Sequence, residues 1–153
     1  MRSFDIPGFG ELLLAHLVVD LNGTLSDRGR LIEGVPERLT FLARDLQVRI
    51  VTADTFGVAA ELAQMLRVPV ITVATGGEKE AIVRDLGADA VIAIGNGRND
   101  EPMLRAARLG IAVIGPEGAA TAALLAADLV CGSVVDALDL LLDQRLLVAT
   151  LRR

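Results

Sequence analysis

The 153-residue sequence has no tryptophan, no tyrosine, one cysteine, one histidine and one lysine. Each shortage excludes something. Without Trp or Tyr the chain lacks the main aromatic platforms on which unpaired bases stack. A net charge of −5 and a pI near 4.8 argue the same way, because nucleic-acid backbones are held by clustered Lys and Arg. The lone Cys131 rules out an internal disulfide and reads as a buried apolar thiol. The lone His16, just ahead of the first apolar run, reads as a structural or surface residue. No run reaches the roughly 18 uninterrupted apolar residues that a membrane span needs. The best stretch, Ile111 to Ala127, is broken by Gly115, Pro116, Glu117 and Gly118. Residues 1–11 have no compact apolar core before a small-residue cleavage site, so they do not read as a signal peptide, and the cytoplasm is the expected compartment.

What is present is apolar. Hydrophobic residues make up 52% of the chain and mean hydropathy is +0.51. A chain of this length is expected to form one domain over residues 1–153, and it buries roughly two thirds of its unfolded surface. Such a composition without a membrane span predicts a sheet covered on both faces, whose strands are continuous Val/Ile/Leu runs. The strands read as Leu17–Asp20, Val48–Thr52, Val70–Val73, Val91–Ile94, Ile111–Ile114 and Leu129–Cys131. The helices read as Pro36–Asp45, Val58–Arg67, Glu78–Leu86, Glu101–Arg108, Ala119–Ala127 and one long final helix, Val134–Arg152. Regular alternation predicts an α/β, doubly wound, mostly parallel sheet with right-handed crossovers.

Ligands in such sheets bind beyond the carboxyl ends of the strands. Polar residues gather there: Asp20, Thr52 and the Gly95–Asp100 loop. In Asp20-Leu21-Asn22-Gly23-Thr24-Leu25 a carboxylate leaves an apolar strand for a tight turn, where Gly23 permits close backbone approach. Lys79 stands near the start of a helix in a chain whose other basic residues are all arginine, which marks it for a specific role. The fourth block, Gly95-Asn96-Gly97-Arg98-Asn99-Asp100-Glu101-Pro102-Met103-Leu104, joins a strand to a helix where backbone N–H groups can meet an anion. Two other motifs fail. Gly95-x-Gly97 lacks the third glycine of a dinucleotide fingerprint, and Gly76-Gly77-Glu78-Lys79 has neither the spacing nor the hydroxyl of a P-loop.

Taken in order, the four blocks resemble the haloacid dehalogenase-like superfamily: an Asp at the first strand end, a Thr, a Lys and an acidic loop. The resemblance runs from about Leu17 to Leu142. Within the superfamily the chain is most similar to the phosphorylation domain of P-type ATPases. Thr52-Ala53-Asp54 resembles their Thr-Gly-Asp, and Asn99-Asp100-Glu101-Pro102-Met103-Leu104 resembles their Asn-Asp-x-Pro-x-Leu. Ala127-Asp128-Leu129-Val130 resembles a further strand entry of the pumps. Membrane helices, a nucleotide-binding insertion and a cap domain have no counterpart; residues Leu25–Val35 suffice only for a flap. A receiver domain of a signalling relay also combines Asp, Thr and Lys, but in another order, with its acceptor Asp two strands later.

The resemblance implies a hydrolase that works through an aspartyl-phosphate on Asp20. It implies catalytic roles for Asp20, Asn22, Thr52 and Lys79, and substrate contacts from Gly23, Thr24, Thr52, Ala53 and Lys79. It implies Mg²⁺ held by the Asp20 carboxylate, the Asn22 backbone carbonyl, Asn96 and Asp100, with Glu101 or Asp54 as further acidic groups. Two positions depart from the common pattern. Asn22 replaces the Asp that protonates the leaving oxygen and activates water, help typically worth about 10²–10⁴ in rate. Asn96 replaces a metal-binding Asp and brings no charge to a hard cation. The expected activity is therefore phosphoryl transfer with slow dephosphorylation, and the alternative is a catalytically weak binding or regulatory module. The partner would be a phosphorylated small molecule or a phosphoprotein. Leu138, Leu141, Leu142, Leu146 and Leu147 of the last helix offer apolar surface for a homo-oligomer, or for packing within the core.

Overall fold

The computed structural model describes residues 1–153. Its centre is a six-stranded, fully parallel sheet of β3 (His16–Asp20), β6 (Gln47–Thr52), β7 (Val70–Thr72), β8 (Val91–Gly95), β9 (Leu109–Val113) and β10 (Leu129–Cys131), in the order β10-β9-β8-β3-β6-β7. Between the strands run α1 (Val35–Leu42), α2 (Ala59–Leu66), α3 (Gly76–Asp85), α4 (Glu101–Ala106) and α5 (Thr121–Ala126), and α6 (Val134–Leu142) and α7 (Gln144–Leu151) close the chain. No helix is long and apolar enough to cross a membrane. The expected α/β doubly wound architecture is what forms. The strands are apolar on both faces because both faces are covered.

The two covers differ in bulk. Leu17, Val19, Ile50, Ile92, Ile94, Leu109 and Ile111 point into a core of 28 buried residues shared with α1, α2, α6 and α7. The opposite side chains, Val18, Val51, Ala93 and Ala112, meet Val83, Met103, Leu104 and Ala123 of α3, α4 and α5 in a cluster of nine. Small residues there let the second helical layer lie close to the sheet.

Two elements differ from the expected ones. Residues before Leu17 form an antiparallel hairpin, β1 (Arg2–Ile6) with β2 (Gly10–Leu14), whose Phe4, Ile6, Leu12 and Leu14 enter the larger core. The final helix is broken at Asp143. Its backbone leaves helical geometry (φ −113°, ψ 100°), and its Oδ1 accepts the Arg145 N–H at 3.0 Å, capping α7. Leu138, Leu141 and Leu147 are buried, and of that leucine set only Leu146 is exposed. The break thus turns most of this apolar surface inward. Between Asp20 and Thr52 there is no inserted domain, only α1 and a two-stranded hairpin, β4 (Ser26–Asp27) with β5 (Arg30–Leu31).

The chain moves outward from β3 through β6 to β7, then returns across the sheet to β8 on the other side of β3. That reversal makes the topological switch point at which ligands bind in open α/β sheets. In register, Asp20 pairs with Val51 and Val19 with Ile94, so Asp20, Thr52 and Gly95 leave the sheet along one edge. His16 begins the same strand at the far end. Its Nδ1 lies 3.3 Å from Arg49 Nη1, and burial, with the Arg49 charge second, lowers its pKa.

Candidate functional site

At the carboxyl edge of the sheet lies a polar cavity of about 170 Å³, lined by Asp20, Asn22, Thr52, Ala53, Thr55, Asn96, Gly97, Asn99 and Glu117. Its floor is an ion triad. Lys79 Nζ donates to Asp20 Oδ1 at 2.8 Å and to Asp100 Oδ1 at 2.7 Å. All three side chains are buried; Lys79 and Asp100 have 0% residual exposure and Asp20 has 6%. Lys79 reaches this point from the first turns of α3. That helix is capped by Thr75, whose Oγ1 accepts the Glu78 N–H at 3.2 Å.

Burial raises the Asp20 pKa, the Asp100 charge raises it further, and Lys79 only partly offsets both, leaving it at about 7 from an ordinary 3.8. Lys79 loses by burial but gains more from Asp20 and then Asp100, so its pKa is raised and the ammonium persists. With both carboxylates ionised, two negative charges face one positive charge. The residual negative charge is directed at the cavity by Asp20, the triad member that lines it.

Asp100, expected to take part in metal binding, is not among the residues that line the cavity. Its Oδ1 accepts from Lys79, and its Oδ2 accepts the N–H groups of Asn96 at 3.0 Å and Gly97 at 2.9 Å. Both oxygens are spent on fixing the lysine and the loop after β8. Glu101 pairs with Arg105 at 2.9 Å, and Asp54 Oδ1 accepts the Ala59 N–H at the start of α2. Neither acidic group lines the cavity.

Thr24 Oγ1 lies 3.2 Å from Asp20 Oδ2 and 3.1 Å from Asn96 Oδ1; its single hydrogen can serve one at a time. Of the expected substrate contacts, Thr52 and Ala53 line the cavity, whereas Gly23, Thr24 and Lys79 do not. Thr24 and Lys79 support the rim from beneath. Thr52 Oγ1 accepts the Asp54 N–H at 2.9 Å and lies 3.5 Å from Asn22 Nδ2. Asn22 Oδ1 is shielded from solvent and has no hydrogen-bond partner.

That orphaned acceptor bears on Mg²⁺. A hard divalent cation prefers oxygen donors and keeps several waters. The Asp20 carboxylate and the Asn22 and Asn96 amide oxygens are such donors, and the residual negative charge of the triad favours a cation above it. These residues fit the ion. No three His, Cys, Asp or Glu side chains converge to form a metal cage, so amide oxygens would have to share the coordination.

Glu117 is a cavity residue that sequence reasoning missed. It lies on a tight Gly115–Gly118 turn after β9, closed by reciprocal backbone hydrogen bonds of 3.3 and 2.9 Å. The signal was a carboxylate at a strand's carboxyl end, hidden because Gly-Pro-Glu-Gly reads first as an interruption of an apolar stretch.

Known proteins resemble this chain in sequence and in fold. The family profile of haloacid dehalogenase-like hydrolases matches residues 74–137. An uncharacterised protein of Methanocaldococcus jannaschii is 55% identical over 62 residues, 40% of this chain and 67% of that one. The 3-deoxy-D-manno-octulosonate 8-phosphate phosphatase of Moraxella catarrhalis, solved with magnesium and phosphate, superposes with a TM-score of 0.67 at 19% identity, covering 91% of this chain and 94% of that one. A zinc-transporting PIB-type ATPase superposes with a TM-score of 0.65 at 27% identity, covering 78% of this chain and 20% of the pump.

Proposed function

Because the chain belongs to the haloacid dehalogenase-like hydrolases, we propose that it is a Mg²⁺-dependent phosphohydrolase or phosphotransferase whose Asp20 carboxylate accepts the phosphoryl group. The observation that carries this reading is the buried Lys79 bridge between Asp20 and Asp100 beneath a polar cavity. A carboxylate whose pKa is raised to about 7 is a poor anion until positive charge is brought to it. Lys79 supplies part of that charge and holds Asp20 Oδ1, so we assign attack to Oδ2, whose one contact is the Thr24 hydroxyl. Attack forms the Oδ2–P bond and breaks the bond from phosphorus to the leaving oxygen, giving an acyl phosphate. Mg²⁺, held by Asp20, Asn22 and Asn96, would neutralise the incoming phosphate and the charge developing on it. The Thr52 hydroxyl and the Ala53 and Thr55 N–H groups, from residues that line the cavity, would bind the equatorial oxygens.

Asn22 sets the second half of the cycle. An amide neither protonates a leaving oxygen nor removes a proton from water. Acyl, aryl and nucleoside-diphosphate leaving groups need least help, and the aspartyl-phosphate persists. The 170 Å³ cavity accommodates a phosphoryl group and little more. Across the Gly115–Gly118 turn, an open cavity of about 510 Å³ between Asp27, Arg30 and Ile114 offers room for the rest of a phosphorylated small molecule or a phosphoprotein in the cytoplasm.

The test is hydrolysis of an aryl or acyl phosphate with and without Mg²⁺, with acid-quenched protein assayed for covalent phosphate. Mg²⁺-dependent turnover with trapped phosphoprotein is the expected result. Neither turnover nor phosphoprotein at high Mg²⁺ would overturn the reading in favour of a binding or regulatory module. Asn22→Asp is expected to raise dephosphorylation by about 10²-fold, the lower end for general acid–base help because the site is not tuned for it. Single-turnover decay of the phosphoenzyme measures this, and an unchanged decay would remove Asn22 from the account.

A further inference from the structure

Building on the Mg²⁺-dependent reading above, we infer that Glu117 supplies the cation site with the negative charge that Asn96 does not provide. Asp20 and Glu117 are the only two carboxylates that line the cavity. Asp100 is turned to Lys79 and the loop backbone, Glu101 to Arg105 and Asp54 to α2. Glu117 itself is exposed and makes no ion pair or side-chain hydrogen bond. An unpaired carboxylate at the mouth of a cavity that already carries net negative charge gains nothing from its protein neighbours. It is explained by a cation.

The turn that carries Glu117 is built onto the site. Asn96 Nδ2 donates to the Gly118 carbonyl at 3.1 Å, and the Ala120 N–H donates to the Asn96 carbonyl at 2.8 Å. A Cβ on Gly115 would collide with the Gly23 carbonyl oxygen, so the turn can sit against the Asp20–Leu25 loop only with glycine there. A Cβ on Gly23 would in turn lie 2.5 Å from Glu117 Oε2 and 2.8 Å from Asn96 Nδ2. One small gap therefore brings together the Glu117 carboxylate, the Asn96 amide and the backbone following Asn22. Asn22, the residue before Gly23, lines the same cavity, and its shielded Oδ1 has no donor. In this chain the carboxylate comes from the β9 loop while the β8 loop offers an amide, so the cavity keeps its oxygen-donor character. Glu117 reaches the ion directly or through one of its waters, as carboxylates commonly do with Mg²⁺.

Calorimetric titration of Mg²⁺, with Mn²⁺ as a spectroscopic probe, into the full chain tests this without any turnover. Glu117→Gln is expected to weaken affinity about 10–100-fold, with the metal-free melting temperature unchanged because the residue is exposed in a turn. Asn96→Asp added to Glu117→Gln is expected to restore affinity, since the charge returns by the other loop. Wild-type affinity in Glu117→Gln would overturn the inference and leave the phosphohydrolase reading standing. A double variant as weak as the single one would overturn the charge account. Absence of Mg²⁺ binding by the wild-type chain would overturn the Mg²⁺-dependent reading, and this inference with it.

Discussion

Lys79→Met is expected to destabilise the metal-free protein by about 3–5 kcal/mol at pH 8, the usual cost of removing one partner from a buried charge pair. The methionine keeps the length and packing of the side chain, so the loss is electrostatic. Asp20 and Asp100, whose carboxylates sit 2.8 and 2.7 Å from the ammonium, would face each other as buried anions without a counter-charge. In a chain of this size the effect corresponds to a fall of roughly 10–15 °C in melting temperature. The sign with pH follows from linkage. Without the ammonium the folded-state pKa of Asp20, already raised by burial, rises further above its unfolded value. Its contribution is then favourable below the unfolded value and is lost as pH rises through the folded one. The variant should recover part of its stability near pH 4, where Asp20 is protonated. Melting in EDTA at pH 4 and pH 8 measures this, and equal deficits at both would show that lost packing dominates.

Asp20→Asn is expected to abolish turnover and covalent labelling while making the metal-free protein more stable above neutral pH. The folded Asp20 pKa, raised to about 7, exceeds its ordinary 3.8. Its stabilising contribution is therefore complete below about pH 4 and is lost as pH rises through 7. An amide never ionises and escapes that loss. The buried charges then reduce to the neutral pair Lys79–Asp100. The gain over wild type should be absent near pH 4 and reach on the order of 2–4 kcal/mol at pH 8, from about three pKa units at 1.4 kcal/mol each taken as an upper bound. Thermal melts across that range check it. Loss of activity without a stability gain would mean that the Asp20 charge is already well solvated. The same group makes turnover in the wild type fall as pH drops below about 7 wherever cation is not saturating.

The sheet was legible in the sequence because a strand buried on both faces must be apolar throughout. Val91–Gly95 and Leu109–Val113 leave few alternatives. The N-terminal hairpin was legible in principle, through alternating Phe4, Ile6, Leu12 and Leu14 around Pro7-Gly8, but period-two patterns five residues long compete poorly with longer runs. Asp143 shows the reverse problem. An Asp inside a leucine-rich helical stretch reads as a solvated face, and only the packing of both halves against α1 and the hairpin makes it a cap. At the site, motif order located Asp20, Thr52, Lys79 and the Gly95–Asp100 loop on one edge. It did not tell which way Asp100 faces. That depends on whether a buried lysine needs one carboxylate or two, and on whether loop N–H groups claim the second oxygen, both properties of three-dimensional charge balance.

The crossing of the chain back over β3 also has a consequence for synthesis. β3 pairs with β6 on one side, but its other neighbour, β8, begins with Val91 opposite His16. A ribosome adding 5–20 residues per second takes roughly 4–15 s to supply those intervening residues. Throughout that interval one flank of this central, buried strand remains an open edge, able to capture any extended segment nearby. Lys79 emerges before its second carboxylate does. The half-made nascent chain is therefore the most vulnerable form of this molecule; the arrival of β8 closes the exposed edge, and Asp100, five residues beyond that strand, then completes the ion triad.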